Sequence, residues 1–164
     1  METELMLLKD ARLELLQEID GLSDAQLNEE IEKDGWTIMQ VLHHLVLMEE
    51  NVTKIIRSTI ASEETQFLEA KPVHYTVNRS IKVDAPSFVY PREQSITFEE
   101  IKNKLQNSRR KLLLVLSQTN RSLLEARGSV HPVFGLIRLD QWVSFIGYHE
   151  KRHLEQIQEL KDKQ

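Results

Sequence analysis

His149 and His153 stand four residues apart, followed by Leu154-Glu155-Gln156-Ile157. On a helix that spacing places both imidazoles on one face, one turn apart. Two rings so placed can share a divalent ion at the roughly 2.0–2.1 Å bond length of zinc–imidazole coordination. Phe145, Ile146 and Ile157 turn the same face toward a core, where unpartnered imidazoles are costly to bury. A second source of imidazole is the pair His43-His44. Adjacent helix positions cannot face the same way; His44, three after Val41 and four before Met48, shares the inward stripe and leaves His43 as the more outward ring. Three histidines around an ion leave a position open, which is the catalytic arrangement, whereas structural sites are closed by four protein ligands. The residues alone also admit plainer readings: a solvated helix edge for His149 and His153, and a satisfied core residue for His44.

Few other side chains offer chemistry. Glu49 and Glu50 follow His44 by five and six residues and read as solvated, Glu49 being the one able to approach a cavity mouth as a base. Glu150 is rotated by about 100° from each helix neighbour, which gives it no catalytic role. Gln156 or Glu155 could orient a histidine ring. Trp142 and Tyr148 read as core or interface residues, His74 as a surface residue, and His131, ahead of Pro132, as a loop-shaping residue or part of a pocket rim.

The elements that must position these residues are helical. Leu5, Leu8, Ala11, Leu15 and Ile19 mark a first amphipathic helix from about Glu4 to Ile19, stopped by Gly21. Thr37 is the N-cap of a second helix that runs to about Ile60. Residues 61–94 carry Pro72, Pro86 and Pro91 and no long period, and read as a crossover with a helical turn near Phe67; so long a connection inside a domain is often functional. Thr97 and Glu100 form a capping box for a third helix reaching about Leu124. A loop at 131–135 precedes a fourth helix from about Asp140. The expected fold is all-α, a four-helix bundle with a long crossover between helices 2 and 3, in one domain over residues 1–164.

Composition narrows the function classes. The chain has 164 residues, 40% of them hydrophobic and 29% charged, which describes a domain able to bury a core. The absence of cysteine excludes disulfides, thiolate metal sites and a cysteine nucleophile, so any thiol must arrive from outside. A net charge of −5 with interspersed bases argues against nucleic acid. The opening residues lack a basic n-region, and no stretch is apolar enough to span a bilayer, so no membrane association and a cytoplasmic location are expected.

Two segments resemble the DinB-like (DinB/YfiT-like) superfamily. The first is Gly35-Trp36-Thr37-Ile38 with Val41-Leu42-His43-His44-Leu45. The second is His131-Pro132-Val133-Phe134-Gly135, Trp142-Val143-Ser144-Phe145-Ile146 and His149 through Ile157. The resemblance implies a four-helix bundle with a long second connection, a homodimer, and a divalent metal ion (zinc, nickel or iron) held by histidines that correspond to His44, His149 and His153. It also implies a small-molecule substrate, because the superfamily includes enzymes that use low-molecular-weight thiols. An ion at an open three-histidine site lowers the pKa of a bound water or thiol. The expected reactions are therefore an S-transferase activating an external thiol or, as the alternative, a hydrolase. A non-enzymatic, stress-linked metal- or ligand-binding protein is the remaining class.

Overall fold

The structure, a computed structural model, describes residues 1–33, 35–62, 68–91 and 95–164. Its first helix, α1 (Glu2–Ile19), buries Leu8, Ala11, Leu15 and Ile19 on one face. It ends ahead of Gly21, whose φ of 79° is a left-handed conformation that a side chain disfavours. Local side-chain bonds start the next elements. Ser23 and Gln26 box the start of the short α2 (Asp24–Asn28). Thr37 Oγ1 accepts from Gln40 N at 3.1 Å while Gln40 Oε1 accepts from Thr37 N at 2.9 Å, opening α3 (Ile38–Ala61). Thr97 and Glu100 make the same exchange at 3.2 and 2.9 Å for α4 (Phe98–Ser117).

The third long helix stops earlier than its apolar spacing predicts. Asn120 Oδ1 accepts from Leu123 N at 2.9 Å and caps a separate α5 (Arg121–Ala126). The loop expected at 131–135 is the turn of a hairpin, β1 (Gly128–His131) antiparallel to β2 (Gly135–Arg138). Four-residue strands are too short to declare a period of two. Trp142 Nε1, donating to the Ser129 carbonyl at 3.3 Å, ties the hairpin to the last helix, α6 (Leu139–Lys161). The crossover contains two 3₁₀ turns, Val73–Val77 and Ser87–Val89; the helical turn expected near Phe67 lies outside the described residues.

In the bundle α6 packs on α1 and α3, α3 also packs on α4, and a groove of about 290 Å³ lies between α1 and α4. The α1–α6 contact is close at Gly147, where an added Cβ would lie 2.5 Å from Leu7 Cγ. Gly147→Ala is therefore expected to destabilise by about 1–3 kcal/mol through overpacking, read as a lowered thermal midpoint; an unchanged midpoint would show that α1 yields. The buried apolar residues form two clusters. One contains Leu15, Val46, Leu105 and Leu154, and the other Leu8, Val52, Leu112 and Ile146. Among the described residues no helix is long and apolar enough to cross a membrane.

Candidate metal centre

The inward stripe of α3 brings His44, and one face of α6 brings His149 and His153, to a single point between the helices. All three rings are buried, at 2%, 8% and 9% exposure. Nε2 of His149 lies 3.3 Å from Nε2 of His44 and 3.2 Å from Nε2 of His153. Four ligands at bonds of 2.0–2.1 Å around a tetrahedral ion would stand about 3.3–3.4 Å apart, so the spacing fits one ion.

The remaining ring nitrogens fix the chemistry of this group. Nδ1 of His44 lies 2.8 Å from the Val89 carbonyl, and Nδ1 of His153 lies 2.7 Å from Gln156 Oε1. Both partners only accept, so each Nδ1 carries the proton and each Nε2 presents a lone pair. Hydrogen bonds alone satisfy this cluster poorly, because His149 Nε2 has one proton at most to offer two neighbours. A cation satisfies all three. Burial keeps the rings neutral. It pushes His153 down to about 3, lowers His149 well below the ordinary imidazole value, and lowers His44 against the opposing bond to Val89.

The surroundings come from three elements. Trp36, just before α3, packs at a tilt of 51° against His44 with ring centroids 5.0 Å apart, and the Phe145 ring centroid lies 5.2 Å from that of His149. The second 3₁₀ turn of the crossover supplies the Val89 carbonyl. Arg152 donates to the carbonyls of Thr76 (3.2 Å), Asn78 (2.5 Å) and Ile81 (2.8 Å), strapping the crossover to α6. Those bonds all go to neutral acceptors, and its positive charge adds to the downward push on His149 and His153.

Gln156 orients a ring, as its spacing suggested, while Glu155 is exposed. His74 is exposed. His131 shapes the hairpin, its Nδ1 accepting from Val133 N at 3.1 Å and Phe134 N at 3.3 Å. Burial pushes His131 down to about 4. An unfolded imidazole titrates near 6.5, so this residue's contribution is complete above pH 6.5 and is lost as pH falls toward 4, at no more than about 1.4 kcal/mol per pH unit. Urea unfolding in chelator should show a shallower pH dependence for His131→Asn than for the unsubstituted chain; identical slopes would contradict this assignment.

The structure also places His43, Glu49 and Glu150. His43 is the more outward ring of the pair, at 8% exposure against 2% for His44, and is nevertheless buried; it stays outside the three-ring group. Glu49, expected to be solvated, is 1% exposed, and Glu150, to which the spacing gave no catalytic role, is 2% exposed. Arg109 donates from Nε to Glu49 at 2.5 Å and from Nη2 to Glu150 at 2.6 Å. Arg12 donates from Nη2 to Glu49 at 3.1 Å and from Nε to Glu150. The one available signal was a charged residue interrupting the apolar stripe of each long helix: Arg12 between Leu8 and Leu15, Glu49 between Val46 and Val52, Arg109 between Leu105 and Leu112, and Glu150 between Ile146 and Leu154.

Residues 7–157 match the family model of the DinB superfamily. The chain is 34% identical over 154 residues to the uncharacterized protein YuaE of Bacillus subtilis (strain 168), covering 94% of each. Its fold is similar to that of TT2238, a four-helix bundle protein, with a TM-score of 0.67 at 20% identity over 96% of this chain and 98% of that one. It is also similar to YfiT from Bacillus subtilis, described as a probable metal-dependent hydrolase with an unusual four-helix bundle topology. That match has a TM-score of 0.66 at 18% identity, over 98% of this chain and 85% of that one.

Proposed function

The chain belongs to the DinB superfamily, and from that premise we propose that His44, His149 and His153 hold one divalent metal ion at the centre of a metal-dependent enzyme. The observation that carries the reading is the convergence of the three Nε2 atoms, with two Nδ1 atoms engaged by oxygen acceptors. The ion supplies Lewis acidity that lowers the pKa of a nucleophile at its open position. The chain's own residues do the rest. Val89 and Gln156 hold the tautomers, Trp36 and Phe145 keep water from the rings, and Arg152 adds positive charge that favours an anionic cosubstrate.

The nucleophile we assign is an external low-molecular-weight thiol, since the chain has no cysteine and such thiols carry carboxylates suited to the cationic surroundings of Arg152. The sulfur loses its proton and displaces a leaving group from an electrophilic carbon. A second reading, hydrolysis by an activated water, is supported by the description of YfiT. The metal-loaded protein should turn over a chloronitrobenzene with glutathione, bacillithiol or mycothiol; turnover of esters, amides or lactones without any thiol would reverse the ranking.

The same reading includes a homodimer built from helix faces, for which Met6 and Leu13 on α1 and Leu113 and Leu114 on α4 present exposed apolar surface. Sedimentation at micromolar concentration is expected to show two chains together, and a clean monomer would contradict it.

A further inference from the structure

The four buried charges form a closed ring with a repeated pattern. Each arginine donates through Nε to one glutamate and through Nη2 to the other. Each also donates through Nη1 across the groove to a backbone carbonyl, Arg12 to Leu105 and Arg109 to Leu8. Each glutamate uses both oxygens, and Ser108 Oγ adds a further donor to Glu49. The ring takes one charge from each of α1, α3, α4 and α6 and lies between the two apolar clusters.

Such a ring is a poor source of net stability, because desolvating four charges offsets most of their attraction, and apolar replacements of similar volume are often neutral or stabilising. Its distinctive property is intolerance of sliding. A shift of one residue moves a helix about 1.5 Å and turns it by about 100°, which would leave a buried charge unpaired, whereas an apolar seam tolerates small shifts. Glu150 follows His149 directly, and Glu49 follows His44 by five residues, about 7.5 Å along α3. The two arginines bridge these glutamates, so they bridge the two helices that carry the histidines.

We propose that Arg12, Glu49, Arg109 and Glu150 are positioning residues: the ring locks α3 and α6 in the one register that brings the Nε2 atom of His44 to those of His149 and His153. The inference rests on the reading that these histidines hold an ion. The test replaces the whole ring with apolar residues, Arg12→Met, Glu49→Leu, Arg109→Met and Glu150→Leu together, and titrates the purified chain with Co(II) by visible absorption. The expected result is a helical protein with an equal or higher thermal midpoint that binds cobalt about tenfold to a hundredfold more weakly, the range seen for loss of groups that orient ligands. The cobalt absorption band should also be altered. A purely structural ring predicts the reverse, a change in midpoint with affinity and band unchanged, and that outcome overturns the proposal. Should the fourfold variant not fold, Glu150→Gln, which keeps the side-chain shape, is titrated instead; severalfold weaker binding with an altered band is expected, and unchanged binding overturns the proposal. Absence of cobalt binding by the unsubstituted chain would overturn the metal reading itself, and this inference with it.

Discussion

His149→Ala is expected to weaken divalent-metal binding by about two to three orders of magnitude. Structural zinc sites with four ligands bind with roughly 10–16 kcal/mol, about 2.5–4 kcal/mol for each ligand, and each 1.4 kcal/mol is a factor of ten. His149 is the ring common to both short Nε2 separations, so its removal leaves His44 and His153 without the group that links them. Competition against a chelator of known affinity measures the effect. His44→Ala should behave similarly, while His43→Ala should retain most of the affinity because that ring lies outside the group. Equal losses at His43 and His44 would show that the ligand on α3 is misassigned, and full retention by His149→Ala would remove the proposed site.

Glu150→Ala is expected to cause a large loss of stability in the metal-free protein. It strips one carboxylate from two buried guanidinium groups at once. Breaking a buried ion pair from one side costs about 3–5 kcal/mol, against a total of about 5–15 kcal/mol for a typical domain. For a chain of this size, the thermal midpoint should fall by roughly 10–15 °C. The exposed pair Lys163–Glu32 is the control, and its disruption should move the midpoint little. A melt of Glu150→Ala in chelator that matches the unsubstituted chain would mean that water solvates the ring.

These two predictions concern neighbouring residues of one helix that differ in how legible they were. The four-residue step from His149 to His153, the inward phase of His44, the caps at Thr37 and Thr97 and the stop at Gly21 all express relations within one or two helical turns. Side-chain direction and backbone hydrogen bonding are set there by position along the chain. Such relations were enough to foresee the four long helices and to single out the three histidines as candidates, while plainer readings of each stayed open until the family resemblance was added.

Tertiary structure decided the rest. Nothing local aligns His44 with His149, 105 residues away, and the crossover carbonyl of Val89 that orients His44 belongs to a segment without periodicity. Glu49 looked solvated and Glu150 looked idle because a carboxylate on one helix gives no sign of a guanidinium on another. Whether it is buried depends on Arg12 and Arg109 arriving from α1 and α4. The hairpin at Gly128–Arg138 is likewise held by Trp142 and the aromatic contacts of His131. Helix phase is a one-dimensional property and can be read along the chain. The pairing of buried charges and the convergence of imidazoles depend on distances between helices, and only packing sets those.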